Sequence, residues 1–281
     1  MCAFFFLPKG ITMPSHTLKT EGLCAFYGKN QILKDINLVV ESGVCLCLSG
    51  PNGSGKSTLL SLLTGTNPKT LSYTGKILLD NAPVHSMKTK DLAKKIAFMS
   101  QSESVPWNFS CFDVILSGRF AHTNFTDIYS QQDKQIALAA AEEVKATHLL
   151  QRKIHTLSGG EFQRVRIART FAQQPKMLVL DEPMASLDFD ISFSLFKLTK
   201  KLAKDKGIGV LVSIHDINLA SVFADKMALL SPCSRNLKNQ LHSGTPGQIL
   251  TPETLNSVYG NEFGVFVHPI YKTPTIYNLA E

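Results

Sequence analysis

No stretch of this chain is apolar over the roughly 20 residues that a membrane-spanning helix needs. The apolar run from Cys2 to Leu7 is too short for one and lacks a positive leader, so it does not read as a secretory signal. Translation from Met13 would leave the first twelve residues outside the fold, and residues 1–17 are read as an N-terminal extension open to disorder. Blocks of like charge are also missing. Lys and Arg number 29 against 22 Asp and Glu, a net charge of +7, but the basic residues are dispersed along the chain. Such a balance fits a surface pressed against an inner membrane leaflet or membrane-embedded partners as well as it fits nucleic acid. The six cysteines form neither a C-x-x-C pair nor a disulfide-like spacing, which points to a reducing cytoplasm. Cys45 and Cys47 alternate with Val44, Leu46 and Leu48 and read as small apolar residues of a buried strand. Internal repeats and low-complexity segments are not visible either, and the interval between residues 58 and 157 has no sustained heptads.

What is present is a 281-residue chain of ordinary hydrophobic content, 44%, sized for one large domain or a domain with an appendage. Residues 32–40 and 76–79 carry strand-like apolar residues near the turn signals Ser42-Gly43 and Thr74-Gly75. Residues 44–48 form a short apolar run feeding a glycine-rich loop, and residues 57–63 turn helical. A helix is expected over 131–150, where Ile136, Ala140, Val144 and Leu149 recur near helical spacing, and another over 161–173, stopped ahead of Pro175. Residues 177–180 and 209–214 are unbroken apolar strands ending at Asp181-Glu182 and His215-Asp216. Strands apolar on both faces, alternating with helices, predict a parallel and buried sheet with functional residues at its C-terminal edge.

The glycine-rich loop is Gly50-Pro51-Asn52-Gly53-Ser54-Gly55-Lys56-Ser57-Thr58, a fit to G-x-x-x-x-G-K-[ST] in strand–loop–helix context. Glycines let backbone N–H groups converge on phosphate oxygens, and the following helix presents its positive end. Lys56 is expected on the β- and γ-phosphates, Ser57 on Mg²⁺, and Thr58 in support. Asp181, after four apolar residues, is placed to hold Mg²⁺ through water, and Glu182 to act as general base toward the attacking water. A helix cap or an ion pair is the plainer reading of Glu182, and a satisfied histidine the plainer reading of His215.

The order of phosphate loop, Gln101, Leu157-Ser158-Gly159-Gly160-Glu161, Met177-Leu178-Val179-Leu180-Asp181-Glu182-Pro183, Ser186-Leu187-Asp188 and His215 resembles that of the ATP-binding cassette (ABC) transporter ATPases, over nearly the whole chain. The resemblance implies an α/β P-loop fold: a mostly parallel sheet, an N-terminal antiparallel β subdomain and a helical subdomain. The ATPase domain would span about 18–231, with the helical subdomain inserted near 102–165 and a tail, 232–281, packed on the core. It implies ATP and Mg²⁺ as cofactors and a head-to-tail homodimer sandwiching two ATPs. Ser158, Gly159 and Gly160 would face the γ-phosphate held by the partner copy. Gln101 would sense Mg²⁺ and the attacking water, His215 would contact the γ-phosphate and orient Glu182, and Asp188 would signal across the dimer. Tyr27, in Phe26-Tyr27-Gly28, would stack on adenine. Phe162 and Met184-Ala185 depart from the usual family pattern without removing a group that touches phosphate or metal.

One phosphate loop without a membrane span implies separate permease subunits, the arrangement of bacterial importers, with a peripheral position on the cytoplasmic face of the membrane. The segment Phe112 to His122, ending Gly118-Arg119-Phe120-Ala121-His122, is similar to importers for iron–siderophore, haem and cobalamin, as are Gly244-Thr245-Pro246, Leu250-Thr251-Pro252, Val258-Tyr259-Gly260 and His268-Pro269. The segment up to His122 reads either as subdomain cover or as part of the surface that receives the permease. The manganese/zinc importers share much of this pattern. A soluble ATPase of iron–sulfur assembly and a DNA-repair ATPase are the alternatives, and the missing coiled coil argues against the second. No nucleic-acid partner is expected. In that family a substrate-binding protein and the permease select the cargo.

Overall fold

A computed structural model describes residues 15–103, 108–123, 129–185, 187–235 and 240–279. Most of the expected N-terminal extension and Ser186 of the Ser-Leu-Asp motif lie outside the described residues. The chain opens with strands β1 (Thr17–Tyr27) and β2 (Asn30–Glu41), then β3 (Cys45–Ser49) and helix α1 (Lys56–Leu63). Next come β4 (Leu71–Leu79), β5 (Ala82–Pro83), α2 (Thr89–Lys95), β6 (Ile96–Met99), α3 (Cys111–Leu116), α4 (Gln131–Glu143) and α5 (Gly159–Ala172). Then follow β7 (Met177–Asp181), α6 (Phe189–Asp205), β8 (Gly209–Ser213), α7 (Ile217–Phe223) and β9 (Lys226–Leu230). The C-terminal part holds β10 (Leu241–Gly244), α8 (Pro246–Ile249), α9 (Pro252–Tyr259), β11 (Phe263–Val267) and β12 (Pro274–Asn278).

The central sheet has strand order β10-β9-β3-β8-β7-β6. All neighbours in it are parallel except β10, which runs antiparallel to β9 at the edge. A separate antiparallel sheet has order β2-β1-β4-β5. Side chains alternate between two cores because successive Cβ atoms leave a strand on opposite faces. Cys45, Cys47, Leu178, Leu180, Val210 and Val212 pack with the helices on one face. Leu46, Leu48, Val179 and Leu211 pack with α1 and the antiparallel sheet on the other. This two-sided burial is why these strands read as continuous apolar runs.

Helix α4 ends at Glu143, short of the expected Leu150. Lys145 takes a left-handed φ of 58°, and the Ala146 amide donates back to the Ala141 carbonyl at 2.7 Å. That closure stops the helix, and a short 3₁₀ turn over Thr147–Leu149 carries the remaining periodicity. Helix α5 begins at Gly159, earlier than residue 161, because Ser158 and Glu161 form a capping box. Helix α6 buries Ser192, Leu195, Phe196, Thr199 and Ala203 along one stripe. The described residues from 232 onward are more structured than their Pro, Gly and Asn content suggests. Ile249, Leu250, Leu255 and Val258 join the helix-side core, and Asn218 of α7 pairs with both backbone groups of Ile276 in β12, at 3.1 and 2.8 Å.

Candidate active site

β3, β7 and β8 lie side by side, so the residues after their C-terminal ends converge. The loop after β3 carries residues 50–58, β7 ends at Asp181, and His215 follows β8. Glycine is required at the first loop position: a Cβ on Gly50 would sit 2.1 Å from the Leu230 carbonyl oxygen. At Gly55, which has a φ of +99° and precedes α1, a Cβ would sit 2.8 Å from Leu33 Cδ2. Lys56 Nζ donates to the carbonyls of Gly50 and Pro51 at 2.8 and 3.2 Å, which holds the ammonium over the loop. Burial lowers the Lys56 pKa, and the charges of Glu182 and Asp181 work against that. Buried Ser54 Oγ has no hydrogen-bond partner among the described residues, which leave this polar atom of the loop unsatisfied.

A cleft of about 500 Å³ opens above the loop, lined by Tyr27, Ile32, residues 52–58, Gln101, Glu182 and His215. Glu182 is held on three sides. Its Oε2 accepts from Gln101 Nε2 at 2.6 Å, its Oε1 lies 2.6 Å from His215 Nε2, and its amide donates to Ser213 Oγ at 2.8 Å. Its backbone is left-handed, with φ 46°, which turns it out of the strand direction of β7. Glu182 is therefore paired with side chains and does not cap a helix. Asp181 is buried, and its Oδ1 accepts from Ser213 Oγ at 2.6 Å. Tyr27, at the end of β1, is 38% exposed and lines the cleft. The donor set fits a magnesium–nucleotide: an unsatisfied hydroxyl, an ammonium and a serine at a helix start for phosphates, and carboxylate and hydroxyl oxygens for a hard cation.

The remaining expected site residues lie elsewhere. Gly159 and Gly160 pack near Leu187 and Ile191, at 3.4 and 3.0 Å from an ideal Cβ, and do not line the cleft. Ser158 caps α5 through the Glu161 amide. Asp188 occupies the N-cap position of α6, yet its side chain makes no capping hydrogen bond. The unusual Phe162 lies under the Arg166 guanidinium, 5.6 Å from ring centroid to Cζ, and Met184 is buried in the helix-side core. Neither lines the cleft.

Three features were missed in the sequence. The 209–214 run is not unbroken: Ser213 places one hydroxyl in it, a faint signal. Glu103 binds Arg166 Nε at 3.1 Å and Arg169 Nη2 at 2.8 Å, strapping the Gln101 segment to α5. Burial alone would raise the Glu103 pKa, but the Arg169 hydrogen bond and both guanidinium charges hold it below its ordinary value. Arg119 is buried, donating to Asp133 Oδ1 at 2.9 Å, to the Ala172 carbonyl at 2.9 Å and to Gln174 at 3.0 Å. His122 Nε2 meets the Gln173 carbonyl at 2.9 Å. The Gly-Arg-Phe-Ala-His segment thus buries its arginine as a strut and leaves Phe120 62% exposed.

The sequence profile of the ABC transporter family matches residues 33–185. The hemin import ATP-binding protein of Thermobifida fusca is 35% identical, over 96% of this chain and 91% of its own length. The iron(3+)-hydroxamate import ATP-binding protein of Bacillus subtilis is 32% identical, over 92% and 93%. A metal-chelate type ABC transporter in an inward-facing conformation superposes with a TM-score of 0.79 at 28% identity, covering 95% of this chain and 98% of that one. A dimeric bacterial ABC transporter cassette superposes with a TM-score of 0.65 at 28% identity, over 76% and 94%. A phosphate-loop cleft with its paired glutamate, in this fold and with these relatives, marks a nucleotide-binding ATPase: the chain belongs to the ABC transporter ATP-binding family.

Proposed function

We propose that this chain is the ATP-hydrolysing motor subunit of an importer for iron chelates, of siderophore or haem type. The observation that carries the reading is Glu182, gripped by Gln101 and His215 above the phosphate loop. Import of iron chelates is supported by the hemin and iron(3+)-hydroxamate importers among the relatives and by the metal-chelate transporter among the structures.

In this reading Tyr27 stacks on adenine, the loop amides and Ser54 receive phosphate oxygens, and Lys56 shifts from the Gly50 and Pro51 carbonyls to the β- and γ-phosphates. Ser57, Gln101 and Asp181 would hold Mg²⁺, Asp181 through water, and the ion would supply charge neutralisation at the phosphates. Glu182 accepts the proton of the attacking water on a carboxylate oxygen. Both of its oxygens are engaged, so water must take the place of Gln101 or share the carboxylate with it. That exchange makes hydrolysis sensitive to the Gln101 segment. His215 orients Glu182 and reaches the γ-phosphate.

Gly159 and Gly160 do not line the cleft of their own chain. A second copy, head to tail, would bring its Ser158, Gly159 and Gly160 to the open side and Asp188 to the seam. The dimeric cassettes among the solved structures support that arrangement. Among the described residues no helix is long and apolar enough to cross a membrane. Separate permease subunits are therefore part of the proposal, with this chain peripheral on the cytoplasmic face. A groove of about 430 Å³ beside exposed Phe120, lined also by Thr89, Lys90 and Ala93, suits a permease segment.

The test is an affinity pull-down from native membranes, with co-purifying polypeptides identified. A polytopic membrane protein and an iron-chelate-binding protein are the expected companions. Soluble assembly factors alone would overturn the import reading and leave the ATPase site intact.

A further inference from the structure

We propose that Ser213, a fully buried hydroxyl at the end of β8, is a positioning residue that sets both the metal-facing carboxylate and the general base of this ATPase. The proposal rests on the ATPase reading above and concerns how that site is held in shape.

Ser213 stands opposite Asp181 in the β7–β8 register. Its Oγ donates to Asp181 Oδ1 at 2.6 Å and accepts the Glu182 amide at 2.8 Å. A serine hydroxyl has one proton and two lone pairs. The carboxylate takes the proton, so the amide must be the donor to Oγ, and the roles are fixed. Two consequences follow. Asp181 Oδ1 is occupied, and Oδ2, which accepts no hydrogen bond among the described residues, is left for a cation or its water. Glu182, whose φ of 46° strands rarely adopt, is anchored at its amide just where the chain turns out of β7. Unusual backbone conformations persist only when their surroundings hold them.

On its other side Ser213 pairs with Leu48 of β3, and Ser49 Oγ donates to the Ile214 carbonyl at 2.9 Å. Two serine hydroxyls thus tie together the three strand ends that bear the phosphate loop, Asp181-Glu182 and His215. An apolar residue at 213 would suit the strand equally well, but it would leave a buried amide and a carboxylate oxygen without partners. Ser213 acts through Asp181 and Glu182 and touches no substrate atom, as outer-shell partners of metal ligands do.

The test compares wild type, Ser213→Ala, Ser213→Cys, Ser213→Thr and, as a buried-hydroxyl control, Thr199→Val. Among the described residues Thr199 Oγ1 bonds only the Leu195 carbonyl of its own helix, at 2.8 Å. Mn²⁺ binding in the presence of a non-hydrolysable ATP analogue is read by EPR, nucleotide affinity is measured in EDTA, and turnover is measured against Mg²⁺. Ser213→Ala should weaken Mn²⁺ binding roughly 10-fold or more and lower turnover at saturating Mg²⁺, with metal-free nucleotide affinity unchanged. Ser213→Cys, close in volume but a weak donor, should fall between and carries the test if the alanine variant does not fold. Ser213→Thr, which keeps the hydroxyl on a strand-favouring side chain, should restore metal affinity, and Thr199→Val should leave it at the wild-type value. Wild-type Mn²⁺ affinity and turnover in the alanine or cysteine variant would overturn the proposal, as would an equal loss in Thr199→Val. Failure of wild type itself to bind Mn²⁺ with nucleotide would overturn the ATPase reading and this proposal with it.

Discussion

Gln101 and Glu182 lie 81 residues apart in sequence, and the Gln101 side-chain amide donates to Glu182 Oε2 at 2.6 Å. Gln101 follows β6 and Glu182 follows β7, neighbouring parallel strands, so the sheet brings both to the same edge. The segment after Gln101 is tied through Glu103 to Arg166 and Arg169 of α5, the helix that begins at the Ser-Gly-Gly loop. The ion pairs of Glu103, the backbone from Glu103 to Gln101 and the Gln101 hydrogen bond thus form one connected path from α5 to Glu182.

Glu182→Gln keeps the shape of the side chain and removes its basicity. Turnover should fall about 100-fold or more. ATP binding should persist and a nucleotide-bound dimer should accumulate. Steady-state hydrolysis with light scattering checks this, and unimpaired turnover would remove Glu182 from the chemistry.

Tyr27 is exposed at the cleft margin and contributes little to the core. Tyr27→Ala should weaken ATP binding by roughly 10-fold, the scale of one aromatic–base stack, with Tyr27→Trp keeping it. Fluorescence titration with ATP separates the two variants. Equal affinities in both would return Tyr27 to a structural role.

Arg119 and Asp133 form a buried ion pair at 2.9 Å. Arg119→Ala leaves the largely buried Asp133 without its cation, so stability should drop by about 3 kcal/mol. Urea unfolding measures it. A change within experimental error would mean that water replaces the guanidinium there.

The same pair predicts an acid response. The Ser130 hydrogen bond lowers the Asp133 pKa most, burial opposes it, and Arg119 lowers it further. A carboxylate depressed in the folded state adds stability above its unfolded value of about 4, and this is lost as pH falls through the lower folded value. Asp133→Asn should therefore be less stable than wild type at neutral pH and lose less on acidification below about pH 4. Denaturation midpoints at pH 7 and pH 3 decide the matter, and parallel losses would exclude Asp133 as a source.

Much of the site was legible because its chemistry is local in sequence. Residues 50–58 must be contiguous to wrap phosphate, and Asp181-Glu182 closes an apolar strand whose burial shows in its composition. The strand β1 was missed because Glu21 and Gly22, exposed side by side, break its alternation of buried residues where the pairing with both neighbours shifts register. The end of α4 was misjudged because Ile136, Ala140 and Val144 keep helical spacing right up to the turn at Lys145, and apolar spacing alone does not register one left-handed residue. The Gly-Arg-Phe-Ala-His segment was read as cover or docking surface, and its arginine proved to be an internal strut.

The sequence by itself determined the phosphate loop, the carboxylate pair, the order of the motifs and the apolar strands, since each depends on neighbours along the chain. Only the tertiary structure decided that Gln101 and His215 share one carboxylate, that Ser213 holds the two acids, and that Gly159 and Gly160 pack outside the cleft. Those relations join residues from different strands and helices. They are fixed by the parallel register of β6, β7 and β8 and by packing at the strand ends, and a linear pattern does not carry that register.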